Sequence, residues 1–123
     1  MAEMDVALKD AMTIDGAIGV ALVDHTSGMA LAVAGGTRDF DLNVAAAGNT
    51  DVVRSKLRAM DLLGISEQIE DILISLESQY HLIRPLKARS GHGLFLYLSL
   101  DRSRANLAMA RHHLRRVENI LNI

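Results

Sequence analysis

Asp24, His25 and Ser27 supply the residue types of a hydrolase triad, and His112 with His113 supply two imidazoles that could ligate a metal. Neither spacing performs the chemistry. A triad needs side chains that converge on one proton path, whereas neighbours in a tight turn point apart. Two ligands on a helix need an i, i+4 spacing, and adjacent residues diverge by about 100°. Asp39, Asp41 and Asn43 imitate the first ligands of a calcium loop, but Val44 stands where that loop needs glycine and Thr50 where it needs a bidentate glutamate. Ser90-Gly91-His92-Gly93 could offer backbone amides to a phosphate, yet the chain has no P-loop motif. No catalytic residue, metal or cofactor is therefore expected, and these stretches read as turns and a helix start.

The most patterned stretch is DRSRANLAMARHHLRRVENIL, residues 101–121. Ser103, Leu107, Ala110, Leu114, Val117 and Leu121 recur at spacings of four and three, which makes an apolar seam, so packing is this helix's first task. Arg104, Arg111 and Arg115 follow one flank, while His112 and Arg116 project from roughly the opposite side. The arginines do not converge on one strip, the formal net charge is −2, and no aromatic on the helix could stack on a base. A nucleic-acid interface is not expected. His113, beside the seam, is predicted to be partly buried and hydrogen-bonded. A helix over 102–119 would be about 27 Å long, close to the roughly 26 Å of an eight-residue strand. It should run back toward the 87–92 turn, gathering Lys87, Arg89, Arg115 and Arg116 into a basic patch for an acidic partner.

Around these residues the elements read clearly. Met4, Ala7, Leu8, Ala11 and Met12 keep one face of a short opening helix. AIGVALVD (17–24) and MALAVAGG (29–36) are a hairpin turned at Gly28, with Ile18, Val20 and Leu22 on a bulky face and Ala17, Gly19 and Ala21 on a face that lets a neighbour approach. Residues 41–63 return to helical spacing, with Asp41 as N-cap and Gly64 as stop. Leu42, Ala45, Ala46, Val53, Leu57, Met60 and Leu63 should face inward. The far side, with Val44, Ala47, Gly48, Ser55 and Leu62, is small or apolar where charge is usual, so a second cover is expected there. IEDILISL (69–76), YHLIRPL (80–86) and GLFLYLSL (93–100) are three further strands. Asp101 should cap the last helix. The order predicts an α/β (α+β) sandwich on a five-stranded antiparallel sheet.

With 123 residues, half of them apolar and 23% charged, the chain fits one globular domain over 1–123. It has no cysteine, and its N-terminal residues mix Glu3, Asp5 and Asp10 with apolar ones, so neither a signal peptide nor membrane insertion is expected and a cytoplasmic location is the default.

In element order and in the stretches AIGVALVDHTSGMALAVAGG (17–36), IEDILISLESQYHLIRPL (69–86) and DRSRANLAMARHHLRR (101–116), the sequence resembles the Roadblock/dynein light chain domain family across nearly its whole length. The resemblance implies a profilin/longin-like Roadblock sandwich, strand order 2-1-5-4-3 between helix layers, without catalytic residues. It also implies a homodimer that packs the second helix on its mate and joins third strands into one sheet. The function it implies is scaffolding or regulation of a small Ras-like GTPase, in some bacterial members as a GTPase-activating protein. The residues point the same way, because the 44–62 helix needs a second cover and IEDILISL has neither proline nor lysine to guard an edge. The expected dimer interface is Val44, Ala47, Gly48, Asp51, Ser55, Ile72 and Ile74. The alternative is a small-molecule sensor with a similar sandwich, for which the core offers few polar groups, mainly His81 and Ser75.

Overall fold

The bulky and small faces read in 17–24 become the two covered faces of a central strand. A computed structural model describes residues 2–87 and 93–121. In chain order these form α1 (Ala2–Ala11), β1 (Ala17–Asp24), β2 (Met29–Gly35), α2 (Leu42–Leu63), β3 (Ile72–Ser75), β4 (Gln79–Pro85), β5 (Leu94–Asp101) and α3 (Leu107–Leu121). The strands make one antiparallel sheet of order β2-β1-β5-β4-β3, the order the Roadblock resemblance implies.

Val20, Leu22, Leu82, Leu96 and Leu98 point toward α1 and α3, where Leu8, Ala110, Leu114 and Val117 close one core. Ala21, Val23, Ile83, Phe95 and Tyr97 point the other way, onto Leu42, Ala46 and Val53 of α2. Burial of both faces explains why β1 and β5 read as continuous apolar runs. The small face of β1 acts as its residue sizes predict. A Cβ on Gly19 would lie 3.0 Å from Leu42 Cδ2, so glycine there sets how closely α2 approaches the strand. Pro85 lies beyond the last β3–β4 pair, Ile72 with Ile83, where its missing N–H costs no ladder bond.

α2 ends where its residues announce. The Asp41 carboxylate accepts the Asn43 N–H at 2.8 Å, and Gly64, at φ 70°, closes the helix with its own N–H on Asp61 O and that of Ile65 on Met60 O. Leu42, Ala46, Val53 and Met60 are buried as expected, joined by Thr50, whose hydroxyl donates to Ala46 O at 2.7 Å. Leu63, expected inward, is instead 71% exposed, and Leu62 is 83% exposed. The two lie about 100° apart on the helix, so the helix end is open around both side chains even though Met60, less than a turn earlier, is buried.

Two further boundaries differ from expectation. β3 is confined to Ile72–Ser75, since only these residues pair with β4. Asp101 does not cap α3; it ends β5, donating its N–H to Gly16 O at 2.7 Å while its carboxylate accepts the Ser103 N–H and hydroxyl. The cap of α3 is Asn106, whose Oδ1 accepts the Met109 N–H at 3.1 Å.

Candidate functional site

The triad residue types are spent on a turn. Asp24 accepts the Thr26 hydroxyl at 2.6 Å and the Thr26 N–H at 2.9 Å, bonds that hold its carboxyl below the usual range. Arg54 of α2 then clamps this turn, donating to His25 O at 2.9 Å and to Thr26 O. His113 meets expectation: half-buried, it places Nε2 2.8 Å from Asp10 Oδ2, while His112 is exposed. Asp41 is a helix cap, and among the described residues no group of three or more His, Cys, Asp or Glu side chains could hold a metal. Ser90, Gly91 and His92 lie outside the described residues.

The ends of β4 and α3 do meet, although α3 begins only at Leu107 and is shorter than the expected 102–119 helix. Lys87, Arg115 and Arg116 are exposed there, and Arg89 lies outside the described residues. The contact is made by Glu118, which sequence reasoning left out. Its Oε2 accepts the Lys87 N–H at 3.0 Å, and its Oε1 accepts Arg84 Nε–H at 2.8 Å, with both side chains about nine-tenths buried. The patch is therefore mixed in charge. On the same helix Arg111 is paired with Asp71 at 2.9 Å.

The flank of α2 and the edge of the sheet make the larger opening. Val44 is 68% exposed, Ala47, Gly48, Asp51 and Ser55 are exposed, and among the described residues no atom beyond the helix lies within 4 Å of a Cβ placed on Gly48. Gly48 and Ser55 share their side of the helix with Val52, which packs in the same cluster as half-buried Ile72 and Ile74. Ala47 lies toward the other side, its Cα 3.8 Å from a Cβ placed on Gly28 of the hairpin turn. Among the described residues β3 pairs with β4 alone, so its outer edge carries no further strand.

Beside this opening sits a polar group on the α2 face of the sheet. His81 places Nε2 2.7 Å from Gln79 Oε1 and Nδ1 3.2 Å from the Tyr97 hydroxyl, and Ser99 donates to the same Gln79 oxygen at 3.1 Å. A neutral imidazole satisfies both contacts, donating through Nε2–H and accepting at Nδ1. Burial holds His81 below its ordinary value of 6.5 and pushes the Tyr97 hydroxyl up to about 12. Under the second half of α2 a cleft of about 250 Å³ opens, lined by Val53, Leu57, Ile69, Pro85 and Leu94 with His25 at its rim.

The fold is that of a Roadblock/LC7 domain. MglB of Myxococcus xanthus superposes with a TM-score of 0.83 at 17% identity, covering 98% of this chain and 85% of that one. A Roadblock/LC7 domain from Streptomyces avermitilis gives 0.82 at 13%, covering 96% and 93%. The gliding protein MglB of Thermus thermophilus gives 0.79 at 18%, covering 98% and 86%. No family model matches the sequence, and no curated protein matches it.

Proposed function

We propose that this Roadblock fold serves as a homodimeric regulator or scaffold for a small Ras-like GTPase, acting in the cytoplasm without catalytic residues of its own. The observation that carries the reading is the open α2 flank beside the β3 edge, where exposed Val44, Ala47 and Gly48 stand among Asp51 and Ser55, a surface of mostly small side chains of the kind that a symmetric partner can approach closely. The resemblance in sequence and the likeness to MglB structures support a GTPase as the further partner. Such a protein influences a nucleotide cycle by presenting a rigid surface, and its helix layers on both sides of one sheet provide that rigidity.

The test is retention of partners by the immobilised chain from lysate of its source cells, with GTP analogue or GDP added. A small GTPase held in one nucleotide state supports the reading and leads to hydrolysis assays with and without the chain. Failure to retain any GTPase in either state refutes it. The sensor alternative keeps one supporting feature, the cleft beneath α2, whose mostly apolar lining suits a compact apolar ligand.

A further inference from the structure

Leu57 faces the core without meeting it. It stands four residues after Val53 and three before Met60, on the stripe that α2 turns toward the sheet, and both of those neighbours are buried. Leu57 itself is 38% exposed. Beneath it lies the cleft of about 250 Å³, so the break in the stripe is a hollow inside the fold rather than a turn of helix facing solvent.

The sheet explains the hollow. Phe95 and Tyr97 fill the α2 face of β5, and Ile83 fills it on β4. Toward this end of the sheet, alternation brings Gly93 and Pro85 next onto that face, one with no side chain and one with a short ring. Among the described residues, a Cβ placed on Gly93 would meet nothing nearer than His25 Nε2 at 3.9 Å. Gly93 has φ +90°, a conformation that favours glycine, so the entry into β5 itself keeps the place empty. Ile69, in the segment between α2 and β3, closes another side.

The lining sets the chemistry of an occupant. Val53, Leu57, Ile69 and Leu94 are aliphatic walls, and a dry apolar cavity of about 150 Å³ already takes up benzene, so this larger one has room for a fused ring. Glu67 and Lys87 stand at the mouth, both exposed and opposite in sign, and so favour neither an anion nor a cation. His25 is fixed through its backbone, its N–H on Gly93 O at 2.9 Å and its carbonyl accepting Arg54 Nε–H at 2.9 Å, while its ring makes no hydrogen bond among the described residues. A neutral imidazole at that rim can donate from one nitrogen and accept at the other.

We propose that the cleft binds a compact, uncharged ring molecule with one hydrogen-bonding group, which fills the place beneath Leu57 and turns that group to His25. The inference is independent of the GTPase reading and concerns the side of α2 away from Gly48. One wall of the cleft is α2 and the others are the sheet end and the segment before β3, so a bound ring ties the second half of the helix to both. A ligand held only by the folded chain also raises its stability.

Indole is the probe. Titrated into isotope-labelled protein, it should give saturable amide shifts at Val53, Leu57, Ile69 and Leu94 with a Kd at or below about 1 mM, within reach of a ligand of this size. Saturating indole should also raise the urea midpoint. The chain has no tryptophan, so Leu57→Trp reports on the cleft by fluorescence. Its emission should be that of a buried ring, and added indole should no longer move those amides. Ile69→Asp, which sets a carboxylate in the apolar wall, should weaken indole binding by about tenfold or more. Shifts that stay linear to the solubility limit of indole, or that centre on Val44 and Gly48, overturn the proposal. A solvated emission from Leu57→Trp, or indole binding that survives both substitutions, overturns it as well.

Discussion

Glu118→Ala should be among the costliest single changes in this chain, although residue 118 lies near the end of a surface helix. Its carboxylate holds Arg84 Nε–H at 2.8 Å and the Lys87 N–H at 3.0 Å, and the Arg84 and Glu118 side chains are only 10% and 12% exposed. Removing the carboxylate leaves a buried guanidinium without its counter-charge, which costs about 3–5 kcal/mol, a large share of a domain stability of about 5–15 kcal/mol. With a urea slope of about 2 kcal/mol/M, the midpoint should fall by roughly 2 M. Arg84→Met should cost less, because Glu118 keeps the Lys87 N–H and the methionine fills the same apolar volume. The double variant Arg84→Met with Glu118→Leu should recover most of the loss, since an apolar pair replaces a desolvated ionic one. Urea unfolding of all four proteins at one fixed protein concentration measures these differences. A Glu118→Ala loss below about 1 kcal/mol, the value of an exposed pair, would refute the claim that this ion pair is held out of water.

Three other changes test other parts of the structure. Burial lowers the His81 pKa below 6.5, so the unfolded chain binds the proton more readily; stability should be complete above pH 6.5 and decline as pH falls below it, and His81→Gln should flatten that slope in melts between pH 7.5 and 5.5. Gly48→Arg, with open space around it in the single chain, should leave folding intact while halving the mass seen by light scattering; a dimer of unchanged affinity would move the interface away from this flank. Gly16→Ala should cost about 1–3 kcal/mol in urea unfolding, since φ is +85° and the new Cβ would lie 2.9 Å from Asp101 O; a neutral result would mean that the turn relaxes freely.

What could be read from sequence here followed local chemistry. The caps of α2 at Asp41 and Gly64, the Gly28 turn and the faces of β1 from Gly19 onward depend on residues within a few positions and appear where their types place them, whereas Ala17, expected on the small face, packs with the α1/α3 core because the β1–β5 register shifts between Ala17 and Gly19. The errors occur where distant pairing decides. An aspartate before a turn and an aspartate before a helix accept the same nearby N–H groups, so Asp101 could be told from Asn106 only through its bond to Gly16. Ile69 to Asp71 have strand-like composition but no β4 residue opposite them. Leu63 fits the inward stripe by periodicity, and only the surroundings of α2 show that nothing meets it. The Glu118 contact joins residues 34 positions apart, a distance that no spacing rule spans.

The order of strands also dictates when this protein can fold. β1 is the second element made and β5 the seventh, yet the two pair side by side at the centre of the sheet, residues 17–24 against 94–101. During synthesis the β1–β2 hairpin emerges early and must wait, with Val20, Leu22 and Val23 uncovered, until residues 94–101 have left the ribosome. Non-local closure of this kind slows folding and lengthens the interval in which apolar strands can associate wrongly. Fragments ending before residue 94 should thus accumulate as insoluble or chaperone-bound material, while a circular permutant that opens elsewhere and brings β5 next to β1 in the chain should fold faster than the natural order.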